Sequence, residues 1–161
     1  MGVPVTYSDL PCTPLRLLKG KMNIPLNLIS MEADGFHLML HAVIGGVKAN
    51  VLIDTGASRT VMDLSRARKY IGDLSIKPFH KSFTGMGAGA IETYFATIPE
   101  VQIGDNSLKE MEVVLIDLSP LNKSYALEDL PRIDMVMGGD WLIKLDAVID
   151  YPNKTLKIGR I

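Results

Sequence analysis

The chain has 161 residues, 47% of them hydrophobic but only 6% aromatic, which is long enough for one domain with a core of Val, Ile, Leu and Met. Its 17 basic and 18 acidic residues are well mixed and sum to −1, which argues against the basic stripe of a nucleic-acid or membrane-surface binder. A single cysteine, Cys12, rules out an internal disulfide and a thiolate metal cluster. No apolar run approaches the roughly 20 residues that cross a bilayer, and no basic segment leads into an apolar one at the start, so a soluble cytoplasmic protein is the expectation.

Residues 1–23 carry Pro4, Pro11 and Pro14 without periodicity and read as an N-terminal arm or a removable prosegment, with one domain over residues 24–161. From Phe36, the apolar Leu38, Leu40, Ala42 and Ile44 alternate with His37, Met39, His41 and Val43, which predicts a strand. Gly45-Gly46 then makes a hairpin turn, and Val47 to Ile53 returns as the partner strand, running straight into Asp54-Thr55-Gly56-Ala57-Ser58. A short helix from Asp63 to Ile71 stops at Gly72. Residues 83–90 are glycine-dense and flanked by strand-like sequence over 91–98. Val101 to Ile103 leads into a turn at 104–107, and residues 111–116 form an almost wholly apolar strand. The polar, proline-punctuated stretch 119–131 reads as a long loop that covers something or moves. Val136-Met137-Gly138, Asp140-Trp141-Leu142 and two short strands around a Pro152-Asn153 turn complete the chain.

A strand ending in a carboxylate, a hydroxyl and a glycine sets an acid at the lip of a core, where glycine admits another backbone or a ligand. Asp54-Thr55-Gly56-Ala57-Ser58 followed by Thr60-Val61 resembles the active-site segment of aspartic proteases, and among them the single-lobed retropepsins most. Val136-Met137-Gly138 and the helix after it resemble the family's second motif, a hydrophobic pair and glycine packed on the Asp turn. The likeness covers about residues 36–158. It implies a mainly β fold, a small closed or partly open barrel with one or two short helices.

The resemblance further implies that Asp54, Thr55 and Gly56 form the catalytic turn of an endopeptidase. Two facing carboxylates share a proton around a bound water in such enzymes, so neither metal nor cofactor is required. The chain holds no other Asp-Thr-Gly or Asp-Ser-Gly, so the second carboxylate must come from a second copy across a two-fold axis. The stretch 155–161 and the arm before Ile24 are the natural suppliers of further interface. Thr55 would bond the partner's backbone across that axis, and Gly56 would turn its amide to the carboxylate. Ala57 and Ser58 would border a peptide or protein substrate, and Gly85, Met86, Gly87, Ala88 and Gly89 would form a flap over it. Two-lobed family members usually carry Ser or Thr where Ala57 stands, donating to the carboxylate. Its absence implies a mildly acidic to near-neutral optimum.

Plainer readings stand beside these. Asp54 can be a turn residue bonding its own backbone, and the glycines of 83–90 can be a surface loop. Their G-x-G-x-G spacing fits neither phosphate-binding pattern. His37 and His41 would be about 6 Å apart on a helix but about 13 Å apart on a strand, too far to share an ion. Asp134, Asp140, Asp146 and Asp150 fall on separate elements, and Trp141 reads as packing. A non-catalytic module for dimerisation or peptide binding is the rival function.

Overall fold

The computed structural model describes residues 22–31, 35–72, 77–78 and 93–159. The chain forms β1 (Met22–Pro25), β2 (Asn27–Met31), β3 (Gly35–Ile44), β4 (Val47–Ile53), β5 (Val61–Asp63), α1 (Leu64–Ile71) and β6 (Lys77–Pro78). Then come β7 (Tyr94–Ile103), β8 (Asn106–Ile116), α2 (Ser119–Leu127), β9 (Met135–Met137), α3 (Gly139–Lys144), β10 (Val148–Asp150) and β11 (Thr155–Ile158).

Eight strands form one sheet in the order β2-β3-β4-β9-β5-β8-β7-β6, and a further pairing of β3 with β7 closes six of them into a barrel. Closure pairs each of those six strands on both sides and leaves β2 and β6 as the outer strands of the sheet. The barrel is mainly β, as the resemblance implied. Gly45 and Gly46, at φ 56° and 78°, make the tight turn between β3 and β4, with the backbone twist that two-residue hairpins need. At the helix start, the Asp63 carboxylate accepts from the Ser65 amide at 3.0 Å and pairs with Arg132. Being itself fully buried, Asp63 needs that partner.

Two cores result from strand alternation. Leu38, Leu40, Ala42, Val51, Ile53, Ile98, Val113 and Met137 point into the barrel with Trp141. Met39, Leu52 and Val136 point the other way and meet Leu118, Tyr125 and Ile133. The second core exists because 119–131 is not the loop its prolines suggested. Pro120 sits in the first turn of α2, where a missing amide costs nothing. Leu118 and Tyr125 are buried and Leu121 half-buried, one stripe laid on the barrel wall. Asn122 fastens α2 by exchanging hydrogen bonds with the Ile133 backbone, at 2.7 and 3.0 Å.

A separate three-stranded sheet runs β1-β11-β10. β1 takes in Met22 and Asn23 and pairs Met22 with Ile158. Residues 1–21, the bulk of the arm, lie outside the described residues, as does 83–90 with Gly85, Met86, Gly87, Ala88 and Gly89.

Candidate active site

The Asp54 turn emerges from the most constrained part of the barrel. β4 lies parallel to β9, with Leu52 opposite Val136 and Ile53 opposite Met137. The Asp54 amide carries that ladder one step further, donating to the Met137 carbonyl at 3.1 Å. The chain then turns. Ala57 N–H donates to Asp54 C=O at 3.3 Å, and Gly56 N–H donates to Asp54 Oδ1 at 2.8 Å. The glycine thus turns its amide to the carboxylate, and both Asp54 and Thr55 are exposed. Ala57 is half-buried against the second core and Ser58 is exposed.

The far side of the turn is clamped just as firmly. Gly139 N–H donates to Ala57 C=O at 2.7 Å. A Cβ built on Gly138 would lie 2.7 Å from the Ala57 oxygen and from the Arg59 carbonyl group, so only glycine lets the two backbones meet. Thr60 is fully buried. Its hydroxyl accepts from Gly138 N–H at 3.0 Å and donates to Asp140 Oδ1 at 2.7 Å. The same oxygen of Asp140 accepts the amides of Thr60 and Trp141, both at 2.8 Å. Arg59 pairs with the other oxygen at 3.4 Å. Trp141 is core, with its ring N–H donating to the Glu112 carbonyl at 2.8 Å.

In the sequence Asp140 stands in the segment after Val136-Met137-Gly138 and among four scattered acids, with no role assigned to it. The signal that could have found it is its place directly after the glycine pair, at the start of a helix whose orphan amides need an acceptor. His37 and His41 both lie on β3, and the described residues hold no group of three or more His, Cys, Asp or Glu placed for a metal ion.

Residues 40–141 match the family model described as aspartyl protease. The chain belongs to the aspartyl protease family. The matched stretch contains both the Asp54 turn and Gly138. Among solved structures, this aspartyl protease-family chain is similar to the retroviral protease-like domain of Ddi1 from Leishmania major. The TM-score is 0.53 at 17% identity, covering 78% of this chain and 90% of that one. A retropepsin-like aspartic protease from Rickettsia conorii aligns with TM-score 0.51 at 20% identity, covering 86% of this chain and 93% of that one. At such identities the likeness speaks for the barrel fold. No curated protein sequence matches the chain.

Proposed function

We propose that this chain is a homodimeric aspartic endopeptidase, in which Asp54 from each of two copies holds and activates one water. The observation that carries this reading is a single exposed carboxylate on a turn clamped from both sides by β9 and by the Thr60–Asp140 pair. In the dimer one Asp54 is ionised and draws a proton from the water. The other is protonated and donates to the scissile carbonyl oxygen as the water oxygen attacks the carbonyl carbon. Collapse of the resulting diol passes a proton to the leaving amine and breaks the C–N bond. No covalent intermediate with the enzyme forms.

The substrate would be an extended stretch of peptide, hydrogen-bonded as an added strand, with Ala57 and Ser58 bordering it and residues 85–89 closing over it. Thr55, exposed in the single chain, would meet the partner's turn. The missing hydroxyl at Ala57 supports work at mildly acidic to near-neutral pH, which suits a cytoplasmic enzyme. Neither nucleic acid nor a membrane surface is a natural partner for a chain of net charge −1 with mixed signs.

Asp54→Asn tests this directly. The amide oxygen can still accept from Gly56 N–H, so melting temperature and oligomeric state should stay near wild type, while cleavage of a mixed peptide library should vanish. Wild-type turnover by the variant would remove Asp54 from the mechanism. A wild-type chain that dimerises and binds peptides without cutting them would establish the non-catalytic module instead.

A further inference from the structure

Strand register shows which residues share a face with Asp54. Residues paired across a ladder share a face, and residues two apart on a strand share it too. Met39 pairs with Leu52, Leu52 with Val136, and Val136 with Val61, so these four form one row across β3, β4, β9 and β5. Asp54 stands two residues after Leu52 and His37 two residues before Met39, so both belong to the face bearing that row. The last pair of the β3–β4 ladder is Leu38 with Ile53, and one step further the register sets His37 opposite Asp54. Helix α2 lies over the same face through Leu118 and Tyr125.

Tyr125 is buried, and its hydroxyl meets His37 Nδ1 in a short hydrogen bond, with the rings stacked at 5.8 Å and 22°. A buried phenol must place its proton on an acceptor. With the phenol donating to His37 Nδ1, Nε2 is the ring nitrogen left to carry the hydrogen. Nε2 lies on a half-buried side chain whose strand register sets it beside the Asp54 turn.

We propose that His37 is a specificity-determining residue, fixed by Tyr125, whose Nε2–H donates to an acceptor side chain of the substrate next to the scissile bond. The inference rests on the endopeptidase reading. His37 supplies a donor of this subsite, and α2, seated on the buried apolar row through Leu118 and Tyr125, forms its wall. The substrate class is a peptide with a carboxylate or amide side chain at that position, preferred over an alkyl side chain of equal size. Tyr125 touches no substrate and acts as a positioning residue.

The experiment compares two peptide series, Asp or Asn against Leu at each position flanking the cut, with kcat and KM measured separately for the full-length protein. Loss of one hydrogen bond to a substrate acceptor should lower the ratio of kcat/KM, acceptor over alkyl, about tenfold in His37→Ala, chiefly through KM. His37→Gln keeps a donor and should restore most of the ratio, and Tyr125→Phe should reduce it by freeing the ring. A ratio unchanged in His37→Ala, with Asp54-dependent cleavage intact, overturns this inference and leaves the endopeptidase reading standing. A ratio that falls equally in the Ala and Gln variants, in step with their melting temperatures, overturns it as well, since that marks a merely structural role. Absence of Asp54-dependent cleavage in the wild type overturns both.

Discussion

Gly138 and Gly139 are neighbours with different jobs. Gly138 has an ordinary backbone conformation, φ −96°, so its need for glycine is one of space rather than of dihedral freedom. A methyl there meets backbone atoms of Ala57 and Arg59, which cannot swing aside. Overpacking of this kind costs roughly 1–3 kcal/mol. In the proposed dimer the displaced turn would carry Asp54 out of line with its mate, and misplacement by about an ångström can cost about a hundredfold in rate. At Gly139 the same methyl would sit 3.6 Å from the Ala57 oxygen, an ordinary contact. Gly138→Ala should therefore lower both the denaturant midpoint and kcat/KM, while Gly139→Ala should leave the midpoint close to wild type. Equal effects of the two would contradict the close-approach argument.

Among the elements, the terminal hairpin has an electrostatic signature that can be tested apart from any activity. The Lys157 ammonium bonds the Asp150 carboxylate at 2.7 Å, and Asn153 adds its amide and side-chain donors. Led by Lys157, these donors hold the Asp150 carboxyl down at about 2, against 3.8 for the ordinary side chain. A folded-state value below the unfolded one stabilises the fold above the unfolded value, and that contribution is lost as pH falls through the folded value. The hairpin's share should therefore be present above pH 3.8 and vanish towards pH 2. Asp150→Asn should flatten the fall of melting temperature across that window, and an unchanged slope would show that the pair does not couple to folding.

The elements also differ in how plainly the sequence announced them. The β3–β4 hairpin and α1 were legible because alternation, a Gly-Gly turn and the Asp63 and Gly72 boundaries are all local signals. Helix α2 reads as a loop in the sequence because Pro120 and Pro131 look like breakers. Pro120 in fact opens the helix, and the stripe Leu118, Leu121, Tyr125 was present to be counted. The Asp54 turn and Gly138 were legible as motifs. The roles of Thr60 and Asp140 were not, because they depend on a contact across 80 positions that only the folded barrel makes.

At the scale of the molecule, the barrel makes Asp54 rigid but leaves it single, and dimerisation is what the proposed chemistry demands. β11 is flanked by β1 and β10 of its own chain. The stretch 155–161 was expected to supply interface directly. With both edges of β11 taken, a partner strand could join this sheet only along β1 or β10. Val148 and Tyr151, 40% and 59% exposed, offer apolar surface beside β10. In the proposed dimer the turns alone would bury too little for a stable interface, which usually needs more than about 1,000 Å² in total. No helix among the described residues is long and apolar enough to cross a membrane.

The proposed mechanism needs two copies of Asp54 to make one site. The most direct measurement is the initial rate of peptide hydrolysis when wild-type chains are mixed with Asp54→Asn chains at constant total concentration and allowed to exchange partners. If each site needs an aspartate from both chains, the rate falls as the square of the wild-type fraction, because mixed dimers are inactive. A rate that falls in simple proportion to that fraction would mean that one chain carries a complete site, and would rule out the shared dyad.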